Sequence, residues 1–378
     1  MKIVYCIFDC SSPGGTERTL FLQANYFAEK GEEVHIVTTE KASYQQNSYY
    51  FSDRISFHNL NINYREVDNS LSLRKILNRI QKGHKHKKKL NELLFALRPD
   101  ITIAMFGHES SFLYQINDGS KKIIEYHFSR YHRNIEFSSA SFCKKWFALF
   151  KEWRKCKFIN RYDAFVVLTD QDAANWKQFK NVFVIPNALP FIPKKSSNCE
   201  NKKVISVGRL SFEKGYDSLI EAWKIVTSQH PNWELDIYGS GQEYNNLCSL
   251  IKKYSLTNIF INSPVQNIDE KYIESSIYLM TSHYEGFGIV LIEAMICGLP
   301  CISFDCPCGP SEIITNNEDG FLVPVNDVYA LADKICLLIE HNALRKEMGK
   351  KARQNVMRYS ANKIMKKWDD LFKKMLSE

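Results

Sequence analysis

Two glycine-flanked cations follow an apolar run in the second half of the chain. Arg209 and Lys214 lie between Gly208 and Gly215, directly after the predicted strand 204–207. Glycines let such a loop fold tightly. Two cations in it suit a diphosphate, because they offset its charge both while it is bound and as it leaves. This spacing favours an anion site over ordinary surface charges near a turn.

Two glutamates, Glu285 and Glu293, stand eight residues apart around the start of a predicted helix. The run Gly286-Phe287-Gly288-Ile289 joins the apolar strand 277–281 to that helix. Carboxylates at these places can accept hydrogen bonds from sugar or ribose hydroxyls. Glycines at a helix start expose amides that hold hydroxyls or phosphates. The alternative is a structural carboxylate at the helix start and a second acid near a positive neighbour.

Two other glycine pairs are weaker evidence for a ligand. Gly14 and Gly15 follow the first predicted strand and precede a helix, as in a phosphate-holding turn or an ordinary tight turn. Gly239 and Gly241 begin like a dinucleotide-binding turn, but Tyr244 stands where the third glycine is needed. A nicotinamide cofactor is therefore disfavoured.

The cysteines do not predict a metal site or a disulfide framework. The chain has 11 of them, an odd number in a long sequence. Four lie close together, Cys297, Cys301, Cys306 and Cys308, but their spacing does not match the common zinc knuckles. We therefore expect no metal and no bound cofactor.

The elements that must position these residues alternate along the chain. Thirteen short apolar runs, mostly continuous, read as parallel strands buried on both faces, and helical patterns lie between many of them. This predicts an α/β protein with two Rossmann-like, doubly wound parallel sheets facing across a cleft. We expect domains at 1–188 and 189–359, divided at a proline-containing polar stretch, and an amphipathic helix at 360–378 that packs back on the first domain.

Charge is concentrated in the first half of the 378 residues. Residues 1–190 carry 28 Lys and Arg against 19 Asp and Glu, whereas 191–378 carry 22 against 23. Basic stretches at 82–89 and 144–158, the second rich in aromatics, suit an anionic membrane surface, although solvated helices are the alternative. No nucleic-acid-binding motif accompanies them. With no long apolar run and no signal-peptide pattern, we expect a cytoplasmic protein, peripheral on the inner face of the cell membrane.

The order of the motifs resembles the retaining glycosyltransferases of family 4, which have the GT-B fold. The resemblance is carried by the runs GGTER (14–18), VIPNA (184–188), SVGRLSFEKG (206–215), EGFGIVLIEAMICGLP (285–300), GPSEII (309–314) and DGFLV (319–323). It covers nearly the whole chain and is most specific in the second half. The first half matches mainly at Gly14 and Gly15.

The resemblance implies a role for each site residue. Arg209 and Lys214 bind the donor diphosphate and stabilise it as it leaves, and Glu285 contacts the donor sugar. Glu293 holds the ribose. The remaining expected positions are the backbone of 286–289 (Gly286, Phe287, Gly288, Ile289) around the sugar, Val265 and Gln266 near the base, Gly14 and Gly15 near the diphosphate, and His127 at the donor sugar. Asn262-Ser263, where many relatives have a glycine, departs from the pattern near the base.

The implied activity is transfer of a hexose or N-acetylhexosamine from a UDP-sugar, with retention and without a metal. The expected acceptor is a glycan, carried on a lipid, in bacterial surface polysaccharide biosynthesis. A sugar-nucleotide epimerase on the same fold is one alternative. A non-catalytic nucleotide-sugar-binding protein is another, which the combination of Glu285, Glu293, Arg209 and Lys214 disfavours.

Overall fold

The computed structural model describes residues 1–11, 14–40, 50–67, 73–130 and 157–377. The strands are β1 (Lys2–Ile7), β2 (Glu33–Thr38), β3 (Ile55–Asn59), β4 (Ile101–Ala104), β5 (Lys121–Tyr126), β6 (Ala164–Val167), β7 (Val182–Val184), β8 (Lys203–Val207), β9 (Glu234–Tyr238), β10 (Ile259–Asn262), β11 (Ile277–Met280), β12 (Cys301–Phe304) and β13 (Gly320–Val323).

The α-helices are α1 (Gly15–Glu29), α2 (Leu73–Leu97), α3 (Asp170–Asn175), α4 (Tyr216–Gln229), α5 (Tyr244–Lys253), α6 (Ile268–Ile273), α7 (Ile289–Ile296), α8 (Pro310–Ile313), α9 (Val328–Glu340), α10 (Asn342–Asn355) and α11 (Ala361–Ser377). Short 3-10 turns span Tyr64–Val67, His108–Ser111, Leu113–Gln115, Phe212–Lys214 and Val356–Tyr359.

The first of two compact units contains Met1–His127, residues 157–188 and the segment that begins at Ala361. Its seven-stranded sheet has the order β3-β2-β1-β4-β5-β6-β7 with every pair parallel. Central strands such as β4 are buried throughout, as their continuous apolar sequence requires. The C-terminal helix α11 belongs to this unit, where Phe372 packs on Phe27 of α1 at 5.2 Å between ring centroids.

The second unit contains Leu189–Ser360. Its six-stranded parallel sheet has the order β10-β9-β8-β11-β12-β13. An apolar core that includes Trp223, Leu279 and Phe304 is fully buried. From β8 the chain continues through β9 and β10 on one side of the sheet and then through β11, β12 and β13 on the other. The strand order therefore reverses between β8 and β11, and ligands of doubly wound sheets bind at such a switch point.

The prediction of two Rossmann-like, doubly wound parallel sheets is confirmed, since both sheets are wholly parallel and lie among helices. All thirteen predicted strands are present, with ends that differ by a residue or two. The sequence pattern predicts a helix over residues 170–179, whereas the observed helix α3 ends at Asn175. Helices α6, α8 and α10 are not apparent from apolar periodicity, because the first two are short and the buried face of α10 includes Arg345 and Gly349. Most of the basic stretch 144–158 lies outside the described residues.

None of the helices in the described part of the chain is long and apolar enough to cross a membrane.

Candidate functional site

Two loops meet at the switch point of the second sheet. Strand β8 pairs in parallel with β11, so the loops that follow these two strands begin at the same end of the sheet, where the carboxyl ends of the strands lie. The first loop carries Arg209 and Lys214 and ends at Gly215, and the second carries Ser282 and Glu285 before α7 begins. The topology therefore brings together residues that are about 70 positions apart in the sequence.

A charged pair joins the two loops. Nζ of Lys214 donates a hydrogen bond to Oε1 of Glu285 at 2.7 Å, and the Ser282 hydroxyl donates to the same oxygen at 2.6 Å. Both charged side chains are largely buried, with 20% of Lys214 and 10% of Glu285 exposed. Charge interactions are stronger here than on an open surface, because less water screens them.

The backbone holds this pair in place. The Thr281 hydroxyl donates to the Lys214 carbonyl at 3.0 Å, and the His283 amide donates to the Glu213 carbonyl at 2.8 Å. Gly215 has a φ of +59°, and a Cβ there would lie 2.2 Å from the Thr281 carbonyl oxygen. Only glycine fits where the two loops approach so closely.

Arg209 presents the exposed cation of the first loop. Its side chain is 73% exposed and lies 3.8 Å from the Glu213 carboxylate, so it has only a weak internal partner in that ion pair. The side chain can therefore turn towards an anion at modest cost. Lys214 is instead held by Glu285.

Gly239 and Gly241, which resemble part of a dinucleotide-binding turn, allow the backbone after β9 to pack closely against the backbone of the loop that carries Arg209 and Lys214. A Cβ on Gly239 would lie 1.9 Å from the Gly208 carbonyl oxygen, and one on Gly241 would lie 2.2 Å from the Leu210 carbonyl oxygen. The Leu210 amide donates to the Ser240 carbonyl at 2.9 Å. The turn after β9 therefore supports the backbone of the cation-bearing loop.

Glycines also shape the start of α7. Gly288 precedes the helix with a φ of +94°. Gly309 has a φ of +138°, and a Cβ there would lie 2.1 Å from the Phe287 carbonyl oxygen. The run Gly286–Ile289 is thus fixed between the end of β11 and the turn before α8, with Ile289 opening the helix as expected.

Glu293 lies inside the unit. It is 1% exposed, and its Oε2 accepts a hydrogen bond from the Tyr272 hydroxyl of α6 at 3.2 Å. Burial of a carboxylate requires such polar partners. The sequence anticipated Glu293 but not Tyr272, which α6 contributes.

Val265 and Gln266 lie on the exposed loop between β10 and α6. Strand β10 is at the edge of the sheet, three positions from β11. The structure therefore does not group these two residues with the Lys214–Glu285 pair.

The remaining expected residues belong to the first unit. Gly14 precedes α1 and accepts a hydrogen bond from the Arg18 amide at 3.0 Å, and Gly15 begins the helix. His127 directly follows β5, and its Nε2 lies 3.5 Å from Oε1 of Glu125. Burial lowers the pKa of His127 to about 4. Burial also raises the pKa of Glu125 to about 8, against the opposing hydrogen bond from Gln23.

Ser282 and Tyr216 complete the surroundings of Glu285, and the sequence did not single them out. Together with Lys214 and Thr281 they line a small pocket. Burial raises the pKa of the Tyr216 hydroxyl, and the charge of Glu285 adds to this. The sequence signal that could have identified Tyr216 is its position directly after Gly215. Within the described ranges, no three His, Cys, Asp or Glu side chains are grouped to hold a metal ion.

Comparisons with known proteins give the family. Residues 190–355 match the family described as "Glycosyl transferases group 1". An uncharacterized glycosyltransferase of Haemophilus influenzae is 31% identical over 97% of this chain and 98% of its own length. An amylovoran biosynthesis glycosyltransferase of Erwinia amylovora is 38% identical over 54% of this chain and 61% of its own.

A solved structure has the same fold over the full length. A variant of S. aureus TarM, in complex with fondaparinux, alpha-GlcNAc-glycerol and UDP, superposes with a TM-score of 0.78 at 19% identity, covering 98% of this chain and 100% of that one. The full-length match to the H. influenzae relative, the family match over the second unit and the loop geometry at its switch point agree. The chain belongs to the group 1 glycosyl transferases and has glycosyltransferase activity.

Proposed function

We propose that this glycosyltransferase moves a hexose or an N-acetylhexosamine from a UDP-sugar to a lipid-linked glycan, with retention, in bacterial surface polysaccharide biosynthesis. The central observation is the Lys214–Glu285 pair beside the exposed Arg209 at the switch point of the second sheet. The UDP in the TarM complex and the amylovoran role in the name of the E. amylovora relative support the donor and the process.

Each part of this site takes one part of the donor in the proposal. Arg209 and Lys214 hold the diphosphate, and Glu285 receives a sugar hydroxyl close to the amides of Gly286–Ile289. Glu293 receives the ribose. Because the Glu293 carboxylate is buried and already accepts a hydrogen bond from the Tyr272 hydroxyl, a ribose hydroxyl must enter below the surface and compete with Tyr272 for that carboxylate. Val265 and Gln266 stay the proposed neighbours of the base, at the exposed loop after β10.

The sequence resemblance extends the proposal to Gly14 and Gly15 near the diphosphate, and to His127 at the donor sugar. Residues 1–188 would bind the acceptor, and residues 189–359 would bind the nucleotide-sugar. Variants of these residues tested for donor and acceptor KM separately would check the assignment.

The proposed reaction belongs to family 4 chemistry. The bond between the sugar C1 and the diphosphate oxygen breaks, UDP leaves, and the acceptor oxygen attacks C1 on the same face. The acceptor hydroxyl loses its proton to the departing phosphate. The cations at 209 and 214 stabilise the negative charge that grows on the leaving group. We propose that no metal is needed, so that activity persists in a chelator.

The proposed peripheral membrane contact has a candidate surface on α2. Leu77, Ile80 and Phe95 are 60%, 52% and 50% exposed, and helical spacing places them on one stripe with the exposed Lys88. Residues 82–89 add further Lys. Exposed apolar side chains among cations suit an anionic lipid surface.

A donor screen followed by product analysis tests the function. UDP and UDP-sugars are expected to raise the melting temperature, and GDP-sugars are not, because binding to the folded state alone stabilises it. The radiolabelled sugar should then appear on a polyprenyl-linked glycan acceptor, with the anomeric configuration of the donor preserved by NMR. Inversion at C2 of the free nucleotide-sugar instead of transfer would favour an epimerase.

A further inference from the structure

A group of buried polar side chains lies beneath the carboxyl end of β5 in the first unit. Glu125 and Gln23 are each 1% exposed, Tyr5 is fully buried, and the His127 side chain is 5% exposed. They come from β5, α1, β1 and the residue after β5. No step proposed above uses Glu125, Gln23 or Tyr5.

The hydrogen bonds within this group are incomplete. Gln23 Nε2 donates to Glu125 Oε1 at 3.0 Å. Four atoms of this group have no hydrogen-bonding partner among the residues that the structure describes, namely the Tyr5 hydroxyl, Gln23 Oε1, Glu125 Oε2 and His127 Nε2. Buried polar atoms seldom remain unpaired, and the short distance between His127 Nε2 and the Glu125 carboxyl makes these two groups candidate partners.

Glu125 and His127 face each other. They are two residues apart along an extended chain, which places their side chains on the same face. Nε2 of His127 lies 3.5 Å from Oε1 of Glu125, so a small rotation of either side chain gives a hydrogen bond.

We propose that Glu125 is a positioning residue that fixes which nitrogen of His127 carries the proton, and thereby whether Nδ1 donates or accepts a hydrogen bond at the donor sugar. The inference rests on the proposed contact of His127 with the donor. When Glu125 is neutral, its O–H donates to Nε2, and the ring proton sits on Nδ1. When Glu125 is ionised, the carboxylate accepts from Nε2–H, and Nδ1 becomes an acceptor. One proton leaves the pair in this change.

Burial places this change close to neutral pH. It raises the pKa of Glu125 to about 8 and lowers that of His127 to about 4, so both groups are uncharged near pH 7. The groups that face Glu125 are Tyr5 from β1, Gln23 from α1 and His127, while its pairing partner on β6 is Val166. The Tyr5 hydroxyl stays protonated, since burial raises its pKa further.

The experiment follows the His127 ring nitrogens by 15N NMR, with the His127→Asn variant identifying the signals. We expect the proton on Nδ1 at pH 6.5 and on Nε2 at pH 9.5. Glu125→Gln cannot ionise and its amide can donate to Nε2, so the Nδ1–H form should persist at both pH values. Glu109→Gln, which alters another buried carboxyl of the same unit, should behave as wild type.

The wild-type titration tests the proposal even where Glu125→Gln fails to fold. A wild-type ring with the same protonated nitrogen at both pH values would overturn it. In transfer assays, wild-type donor KM should rise above pH 8, and Glu125→Gln should lack this rise. Full activity of His127→Ala would remove the proposed role of His127 in transfer while leaving the NMR result intact, so the two failures are distinguishable.

Discussion

Lys214 and Glu285, 71 residues apart in the sequence, form a hydrogen-bonded ion pair whose Nζ–Oε1 distance is 2.7 Å. The Ser282 hydroxyl shares the same carboxylate oxygen. One group is a cation suited to a diphosphate, and the other is an acceptor suited to a sugar hydroxyl. In the proposed donor site, the pair therefore stands where the two parts of a nucleotide-sugar must separate.

Replacing Lys214 should impair the chemical step. In Lys214→Ala the leaving diphosphate loses a preorganised charge, and kcat should fall about 100-fold, the scale seen when one such group is removed. The measurement is steady-state transfer to a glycan acceptor. The control is Lys202→Ala, an exposed lysine directly before β8, at the opposite end of that strand from the Lys214 loop. Equal kcat in the two variants would contradict a role for Lys214.

Arg209 should contribute more to binding. Its side chain is 73% exposed, so Arg209→Ala leaves the fold unchanged and removes one charged contact, which is worth about 1.5 kcal/mol or roughly a tenfold rise in UDP Kd. Calorimetric titration with UDP measures this. The exposed Lys224 of α4 provides the matched variant Lys224→Ala. A comparable loss of UDP affinity in that variant would show that Arg209 acts only through the net charge of the protein.

Gly215 should tolerate no side chain. Gly215→Ala combines a φ of +59° with a Cβ placed 2.2 Å from the Thr281 carbonyl oxygen, so the loops must separate. Urea unfolding should show a loss of about 2 kcal/mol or more. Gly119 has a φ of +93° with no neighbouring atom within 4 Å of its Cβ position, so Gly119→Ala isolates the backbone strain, about 1 kcal/mol. Equal losses in both variants would show that the close approach costs nothing.

A charge change on α2 should weaken membrane binding. Lys85 and Lys88 are exposed on this helix, and Lys85→Glu/Lys88→Glu reverses two charges without touching the second unit. Binding to vesicles containing anionic lipid should fall at low salt, because each basic residue near the surface contributes about 1 kcal/mol. Lys252→Glu/Lys253→Glu on α5 matches the change in net charge. Equal binding of both double variants, or equal binding to neutral vesicles, would exclude the α2 surface.

Glu109 should make stability depend on pH. Burial raises its pKa from 4.5 to about 7, although hydrogen bonds from the backbone oppose this. Between these values the unfolded chain has released a proton that the folded chain still holds, so stability falls as pH rises through this window. In the wild type this titration lowers the free energy of unfolding by about 3 kcal/mol between pH 4.5 and 7, and Glu109→Gln should not show that decrease. Its stability relative to wild type should therefore increase with pH. The exposed Glu92→Gln should show no such trend.

The fold could be predicted from local pattern alone. Strands buried on both faces need continuous apolar runs, so all thirteen could be located, whereas α10 could not, since Arg345 and Gly349 lie on its buried side. The glycines at 208, 215, 286 and 288 marked the loops, because turns and close approaches favour that residue.

Partners within the site depended on tertiary structure. The sequence identified Lys214 and Glu285 as separate candidates, but their contact arises only because β8 and β11 are neighbours in a sheet where intervening strands lie elsewhere. Likewise Tyr272 is joined to Glu293, and Glu125 is placed beside His127, by side-chain packing that has no linear pattern. Residue type sets what a group can do chemically, whereas the pairing of distant residues and the burial that shifts their pKa are properties of the assembled chain.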